Sequence, residues 1–238
     1  MVGEDGRPLR PAPTRGARVA HDHQNHEHGH QQHHHDQAFW DERYGSAASV
    51  WSGNPNPQLV REVADLPAGS ALEVGAGEGA DAVWLARQGW RVVGLDVSPI
   101  ALAKAAAHAD AVSAEVAERI EWRQADLVGW EPGDERFDLV TAHFMHLPAD
   151  LRRQVFPRLA QAVAPGGRLL VVGHHPEDHE TVRREFDEHF FYTGDDLLSE
   201  LDLDGWTVET NDAPTREMLD AEGRPATIRD TVLRVRRP

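Results

Sequence analysis

The chain contains no cysteine. That absence excludes disulfides, thiolate-held zinc, cysteine-ligated iron–sulfur clusters and a cysteine nucleophile. Lysine is nearly absent too: Lys104 is the only one, so no mechanism needing two lysines applies. Positive charge is scarce overall, with 24 Lys plus Arg against 40 Asp plus Glu and a formal net charge of −16. Such a chain is unsuited to sequence-independent binding of DNA or RNA, whose phosphates need a basic surface. No apolar run approaches the roughly 18 residues required to span a bilayer. The segment from Met1 to Arg18 lacks the apolar centre of a signal peptide. The expectation is a cytoplasmic protein with neither nucleic acid nor membrane as partner. Its 238 residues are enough for one ordinary domain with a buried core, plus a tail.

What is present changes character near residue 36. Residues 1–36 are rich in Pro, Gly and Arg and then in His, with eight of the 15 histidines between His21 and His35. This composition cannot bury enough apolar surface to offset chain entropy, and reads as a disordered tail. His21, His23, His26, His28 and His30 are candidate ligands for nickel, zinc or copper through neutral imidazoles. They show no fixed ligand spacing, so a solvated linker fits the same composition.

Residues 37–238 read as one α/β domain, a Rossmann-like doubly wound sheet. The pattern predicts strands over Ala71–Val74, Arg91–Asp96, Ile120–Gln124, Phe137–Ala142, Arg168–Gly173, Trp206–Asn211 and Thr227–Val235. Helices are predicted over Ala80–Gln88, with Asp81 in its first turn, from Pro99 behind a Ser98 cap, and over Leu151–Val163.

The first strand runs into Glu73-Val74-Gly75-Ala76-Gly77-Glu78-Gly79-Ala80. Glycines at a strand-to-helix turn let the backbone approach a ligand closely. Asp96 ends the second strand, where a carboxylate can accept from two ribose hydroxyls. Two ligand classes compete. Gly75-x-Gly77-x-x-Ala80 fits the dinucleotide pattern and hence an NAD(P)-dependent oxidoreductase. Glu73 and Glu78, however, oppose a pyrophosphate and tolerate a ligand with cationic groups, such as the sulfonium and ammonium of S-adenosylmethionine.

The ordered motifs resemble class I S-adenosylmethionine-dependent methyltransferases. Leu72 to Gly79 looks like their first motif and Leu95-Asp96-Val97-Ser98 like their acidic second-strand motif. Gln124-Ala125-Asp126-Leu127 is similar to the adenine-contacting loop, Phe137-Asp138-Leu139-Val140 to the fourth-strand motif, and Pro165-Gly166-Gly167-Arg168-Leu169 to the turn before the fifth strand. Upstream, Phe39-Trp40-Asp41-x-Arg43-Tyr44, Trp51 and Pro55-Asn56-Pro57-x-Leu59 resemble the tellurite-resistance and thiopurine S-methyltransferase-like branch. The resemblance implies a seven-stranded sheet, mostly parallel, whose last strand inserts antiparallel between the fifth and sixth. It implies a lid at the N-terminal segment, and admits a flavin-dependent oxidoreductase as partner.

The same resemblance assigns roles. Glu73 orders the loop or reaches the cofactor's ammonium. Gly75, Ala76 and Gly77 admit the methionine moiety, Asp96 takes the ribose and Val97 lies against adenine. Asp126 and the Leu127 backbone bond the adenine edge. Trp40, Tyr44 and Trp51 cover the cofactor, or else anchor an N-terminal helix to the core. His143 and His146 follow the fourth strand, where open sheets place ligands, and are candidate general bases or cavity walls. His174, His175 and His179 with His143 form a candidate metal or substrate cluster. The aromatics Phe186, Phe190, Phe191 and Tyr192 read as core more readily than as a substrate platform. The expected reaction is methyl transfer to a small acceptor, with a soft sulfur, chalcogen or metalloid nucleophile favoured. Cysteine-dependent arsenite methylation is disfavoured. A metal-buffering role of the tail is the non-enzymatic alternative.

Overall fold

Apolar β-branched runs and amphipathic helices alternate from residue 70 onward, and the order of the sheet follows from that alternation. The computed structural model describes residues 36–145, 147–178, 190–219 and 223–238. The strands are β1 (Ser70–Val74), β2 (Arg91–Asp96), β3 (Ile120–Gln124), β4 (Phe137–His143), β5 (Val163–His174), β6 (Thr207–Asp212), β7 (Thr215–Leu219) and β8 (Pro225–Arg236). The α-helices are α1 (Gln37–Gly45), α2 (Pro57–Val63), α3 (Ala80–Arg87), α4 (Pro99–Val112), α5 (Ala114–Ala117), α6 (Ala149–Gln161) and α7 (Gly194–Glu200). The sheet order is β3-β2-β1-β4-β5-β8-β6. The pairs from β3 through β5 are parallel, and β8 runs antiparallel to both β5 and β6. The antiparallel insertion of the last strand is as expected from the sequence.

The helix starts follow local chemistry. Ser98 accepts the Ala101 N–H at 3.2 Å and Pro99 opens α4, a cap that satisfies an orphan donor where proline lacks one. Thr193 and Asp196 form a reciprocal capping box on α7.

Each strand residue faces opposite its neighbour, and the core divides accordingly. Val140, Ala142 and Leu72 pack with Val155, Phe156 and Leu159 of α6. Leu139 and Ala71 pack on the other face with Leu59 and Val63 of α2 and Leu85 of α3. By that alternation Glu73 and His143 share the face of α2 and α3, at the carboxyl ends of β1 and β4. This is where the sheet order reverses, and open α/β sheets bind ligands in the crevice at such a point.

Two expectations need correction, the end of the sixth helix and the place of the Pro165-Gly166-Gly167 turn. The seven expected strands form the path above, and among the described residues β7 joins them through β8. β8 is twelve residues long; β5 and β6 pair only its half from Asp230 onward. The other half would be a bare edge, which β7 covers from Thr215↔Arg229 to Leu219↔Pro225. The sixth helix ends at Gln161, because Val163 already pairs with Phe137. The Pro165-Gly166-Gly167 turn lies inside β5 as a register shift, held to the last residues by Gly166 N–H to Arg237 O at 3.1 Å and Arg237 N–H to Gly167 O at 2.9 Å.

Candidate active site

The loop between β1 and α3 is built for close approach. Gly75 and Gly77 hold φ of 71° and 54°, a region that L side chains rarely adopt. A Cβ on Gly75 would stand 2.6 Å from Met145 Sδ, and one on Gly77 2.9 Å from the Tyr44 hydroxyl. Met145 and Tyr44 therefore lie directly against the loop.

Asp96 is buried at the end of β2. Its Oδ2 accepts the Gly77 N–H at 2.8 Å and its Oδ1 the Ser98 N–H at 2.9 Å. Burial raises its carboxyl above the usual range, with Asp41 adding repulsion, against the pull of those N–H donors. A carboxylate offers about four acceptor sites, so with the Gly77, Ser98 and Val97 N–H groups on it Asp96 still has capacity to spare.

Glu78 resolves the apparent conflict of a carboxylate inside a ligand loop, because it turns away toward the N-terminal segment. Its Oε2 accepts from the backbone N–H of Val50 and Trp51, each at 3.0 Å, and from Ser49 Oγ at 3.2 Å. Lys104 Nζ donates to Glu78 Oε1 at 3.1 Å and to the carbonyls of Tyr44 and Ala47 at 2.6 and 2.7 Å. Burial works to raise this carboxyl, but the Trp51 and Val50 N–H groups and Lys104 overcome it and hold it below the usual range.

The segment so tied down covers the loop. Trp40 stacks with Tyr44 at 5.9 Å between ring centroids, Trp51 Nε1 donates to the Tyr44 hydroxyl at 3.2 Å, and the Arg43 guanidinium lies 5.0 Å from the Trp51 ring centre. Burial and the charge of Asp96 push the Tyr44 phenol up. Tyr44 is buried and Trp51 is 43% exposed, so only Tyr44 anchors to the core. Asp41 Oδ1 accepts from Ser98 Oγ at 2.5 Å, which fastens α1 to the start of α4.

Under the loop, Glu73, Asp81 and His143 converge, with one ligating atom of each within 4.8 Å of the others. His143 Nδ1 lies 2.7 Å from Asp81 Oδ2, and Asp81 Oδ1 accepts the Asn56 N–H at 2.6 Å. Glu73 is wholly buried; burial, then Asp81 and Asp96, hold its carboxyl well above the usual range. Glu73 Oε2 and His143 Nε2 are buried and have no hydrogen-bond partner among the described residues.

The remaining sequence candidates are dispersed. Asp126 is exposed after β3 and accepts the Val128 N–H at 2.9 Å, closing its own turn beside half-buried Leu127. Val97 is half-buried and its carbonyl accepts from Gln124 Nε2 at 3.2 Å. His146, His179, Phe186 and the tail histidines His21, His23, His26, His28 and His30 lie outside the described residues. Among those described, His174 and His175 do not join His143 in a metal-competent group. His174 instead packs 4.6 Å from Phe144 and 5.7 Å from Phe191 between ring centroids, and burial, then Arg216, lowers its pKa to about 4. Phe190, Phe191 and Tyr192 are core residues.

The donor set fits a ligand with a ribose and a cationic end. Asp96 has acceptor capacity to spare, the buried Glu73 oxygen lacks a donor, and the glycine loop leaves room for no side chain of its own. Residues 71–167 match a family model described as a methyltransferase domain. The chain is 30% identical over 138 residues to a probable thiol methyltransferase 2 of Arabidopsis thaliana, covering 56% of this chain and 60% of that protein. It is 30% identical over 145 residues to thiocyanate methyltransferase 1 of the same plant, covering 59% and 63%. It thus spans about 60% of the length of the curated relatives it matches. A solved structure described under the conversion of a disulfide bond into a thioacetal group during echinomycin biosynthesis superposes with a TM-score of 0.66 at 26% identity, over 86% of this chain and 92% of that one. Residues 71–167, the stretch that matches the methyltransferase-domain model, run from β1 through the Pro165-Gly166-Gly167 turn of this sheet.

Proposed function

We propose that the protein moves a methyl group from S-adenosylmethionine to a small acceptor whose nucleophile is a soft sulfur or chalcogen atom. The observation that carries the cofactor assignment is the acidic floor of the glycine loop. Asp96 closes on Gly77 at 2.8 Å, and Glu73 presents a buried oxygen without a donor. Such a floor suits hydroxyls and a cation and repels a pyrophosphate. The thiol and thiocyanate methyltransferases among the relatives support the acceptor class. So does the sequence resemblance to the tellurite-resistance and thiopurine S-methyltransferase-like branch.

When bound, S-adenosylmethionine supplies an electrophilic methyl on a sulfonium, whose bonding pair returns to sulfur on transfer. The chain's part is to hold and to exclude. Gly75, Ala76 and Gly77 admit the methionine end, and Glu73 offers its free oxygen to the ammonium. Asp96 takes the ribose, with Val97, Asp126 and Leu127 at the adenine. Trp40, Tyr44 and Trp51 close the cover and keep water out, so that rate comes mainly from alignment in a dry site. His143, with His146 beside it in sequence, is the candidate base. The residue 1–36 tail is a candidate holder of nickel, zinc or copper, and a flavin-dependent oxidoreductase a candidate partner; removal of the tail with loss of metal binding tests the first, and co-purification the second.

Isothermal titration with S-adenosylmethionine, S-adenosylhomocysteine and NAD(P)H tests the function. Micromolar binding of the adenosyl compounds, lost in Asp96→Ala, is expected. Binding of NAD(P)H alone overturns it.

A further inference from the structure

The hydrogen bond between Asp81 and His143 fixes more than a contact. A carboxylate only accepts, so at 2.7 Å from Asp81 Oδ2 the imidazole Nδ1 carries the proton. In that tautomer of the neutral ring, Nε2 presents a bare lone pair. That atom is buried and has no partner among the described residues. A buried acceptor left without a donor is destabilising, so it marks a position reserved for a donor. Asp81 is itself braced by the Asn56 N–H, which joins the pair to the cap of α2. The ring stands at the end of β4, two residues from the Met145 side chain that rests on Gly75. The pair therefore borders the crevice at the switch point of the sheet.

We propose that Asp81 is a positioning residue that holds His143 as a general base, and that the acceptor reaches the site in its protonated form, as a thiol rather than as a ready-made anion. This rests on the methyltransferase reading above. A free thiol is only a few per cent thiolate at pH 7, so a base adds directly to the reactive fraction. The S–H bond breaks, its proton goes to Nε2, and its electron pair stays on sulfur as the pair that takes the methyl. The resulting imidazolium is balanced by Asp81 and returns its proton to solvent after release. The charged groups around the ring are Asp81 from α3 and Glu73 from β1, with Asp96 beyond Glu73.

Asp81→Asn is the decisive variant because it preserves shape. The amide oxygen can keep the Asn56 N–H, while its NH2 now faces Nδ1 and forces the ring proton to Nε2. Nitrogen-15 NMR of histidine-labelled full-length protein, assigned with His143→Gln, reads the tautomer without any turnover. Kinetics with 2-mercaptoethanol and with thiocyanate read the base, since only the thiol has a proton to lose. The expected result is Nδ1–H in the unmodified protein and Nε2–H in Asp81→Asn. The thiol-to-thiocyanate rate ratio should fall at least tenfold at pH 7, recover as pH rises toward the thiol's own ionisation, and be partly restored in Asp81→Glu. An unchanged ratio overturns the base, as does Nε2–H in the unmodified protein. A tenfold loss of S-adenosylhomocysteine affinity in His143→Gln with the ratio intact also overturns it, and gives Nε2 to the cofactor's ammonium. No methyl transfer by the unmodified protein to either acceptor overturns the methyltransferase reading, and the base with it.

Discussion

Lys104 Nζ and Glu78 Oε1 meet at 3.1 Å across the glycine loop, and through them the only lysine of the chain ties α1 to the ligand site. The same ammonium bonds the Tyr44 and Ala47 carbonyls, which are free acceptors at the end of α1. Hydrogen bonds to a charged group contribute about 2 kcal/mol, so Lys104→Met should lose about that much in urea unfolding. It should also weaken S-adenosylhomocysteine binding, because Tyr44 loses its mooring. The folded Glu78 carboxyl lies below its ordinary value of 4.5. Its contribution is therefore complete above about pH 4.5 and lost as pH falls through the folded value. Glu78→Gln should flatten that acid limb, as urea midpoints measured from pH 3 to 7 would show. An unchanged limb would mean the latch carries no linkage.

Gly77→Ala should abolish cofactor binding at a modest cost in stability. Its φ of 54° charges any side chain about 1 kcal/mol, and the new methyl would stand 2.9 Å from the Tyr44 hydroxyl. Tyr44 must then shift, and the cover with it. Gly45→Ala is the control, since nothing lies within 4 Å of a Cβ there. Calorimetric titration and thermal melts on the pair separate the two effects. Equal binding by both variants would remove Tyr44 from the cofactor's cover.

Glu73 makes a prediction of opposite sign to Glu78. Its folded value is raised well above 4.5 by burial and by Asp81 and Asp96. Its stabilising contribution is complete below about pH 4.5 and is lost as pH rises through the folded value. Glu73→Gln keeps the shape without the charge. It should therefore melt higher than the unmodified protein at pH 8, by about 3 °C for each kcal/mol recovered, and show less difference at pH 5. Its affinity for S-adenosylmethionine should fall while the fold gains, which is the exchange expected where a site stores unfavourable charge. A variant that melts lower at pH 8 would show that the charge is compensated.

What the sequence made legible was local. Asp96 at the end of β2 and the Ser98-Pro99 start of α4 follow from residues within a few positions of each other, and both stand where the spacing put them. The turn glycines likewise announce their own backbone. The pairings that complete the site join distant positions. Asp81 reads in sequence as an ordinary first-turn acid of α3, and its partner His143 lies 62 residues on. Lys104 reads as a surface residue of α4 until α1 is laid across it. Glu78 reads as a misplaced charge until the Val50 and Trp51 amides are brought to it. β7 was hidden for a related reason: Thr215–Leu219 has no strong apolar alternation, and it becomes a strand because β8 leaves an edge to cover.

Asp230 marks the point on β8 where its partners change, and its removal should be the costliest single change away from the ligand site. It pairs with His174 in the β5 register, and its N–H donates to Pro214 O at 3.0 Å, just before β7. Its side chain is fully buried. Both oxygens accept from Arg216 Nε, at 3.0 and 2.9 Å, and Oδ2 also from Gln58 Nε2 at 3.2 Å. Asp230→Ala leaves a guanidinium and an amide without their acceptor, and breaking a buried pair from one side costs about 3 kcal/mol or more. Asp230→Ala with Arg216→Met removes both charges and should recover much of that loss, because the desolvation penalty goes with them. Urea unfolding of the two singles and the double gives the coupling directly. A coupling near zero would show that β7 is held by its backbone ladder alone; a large one would show that this ion pair pins β7 to β8.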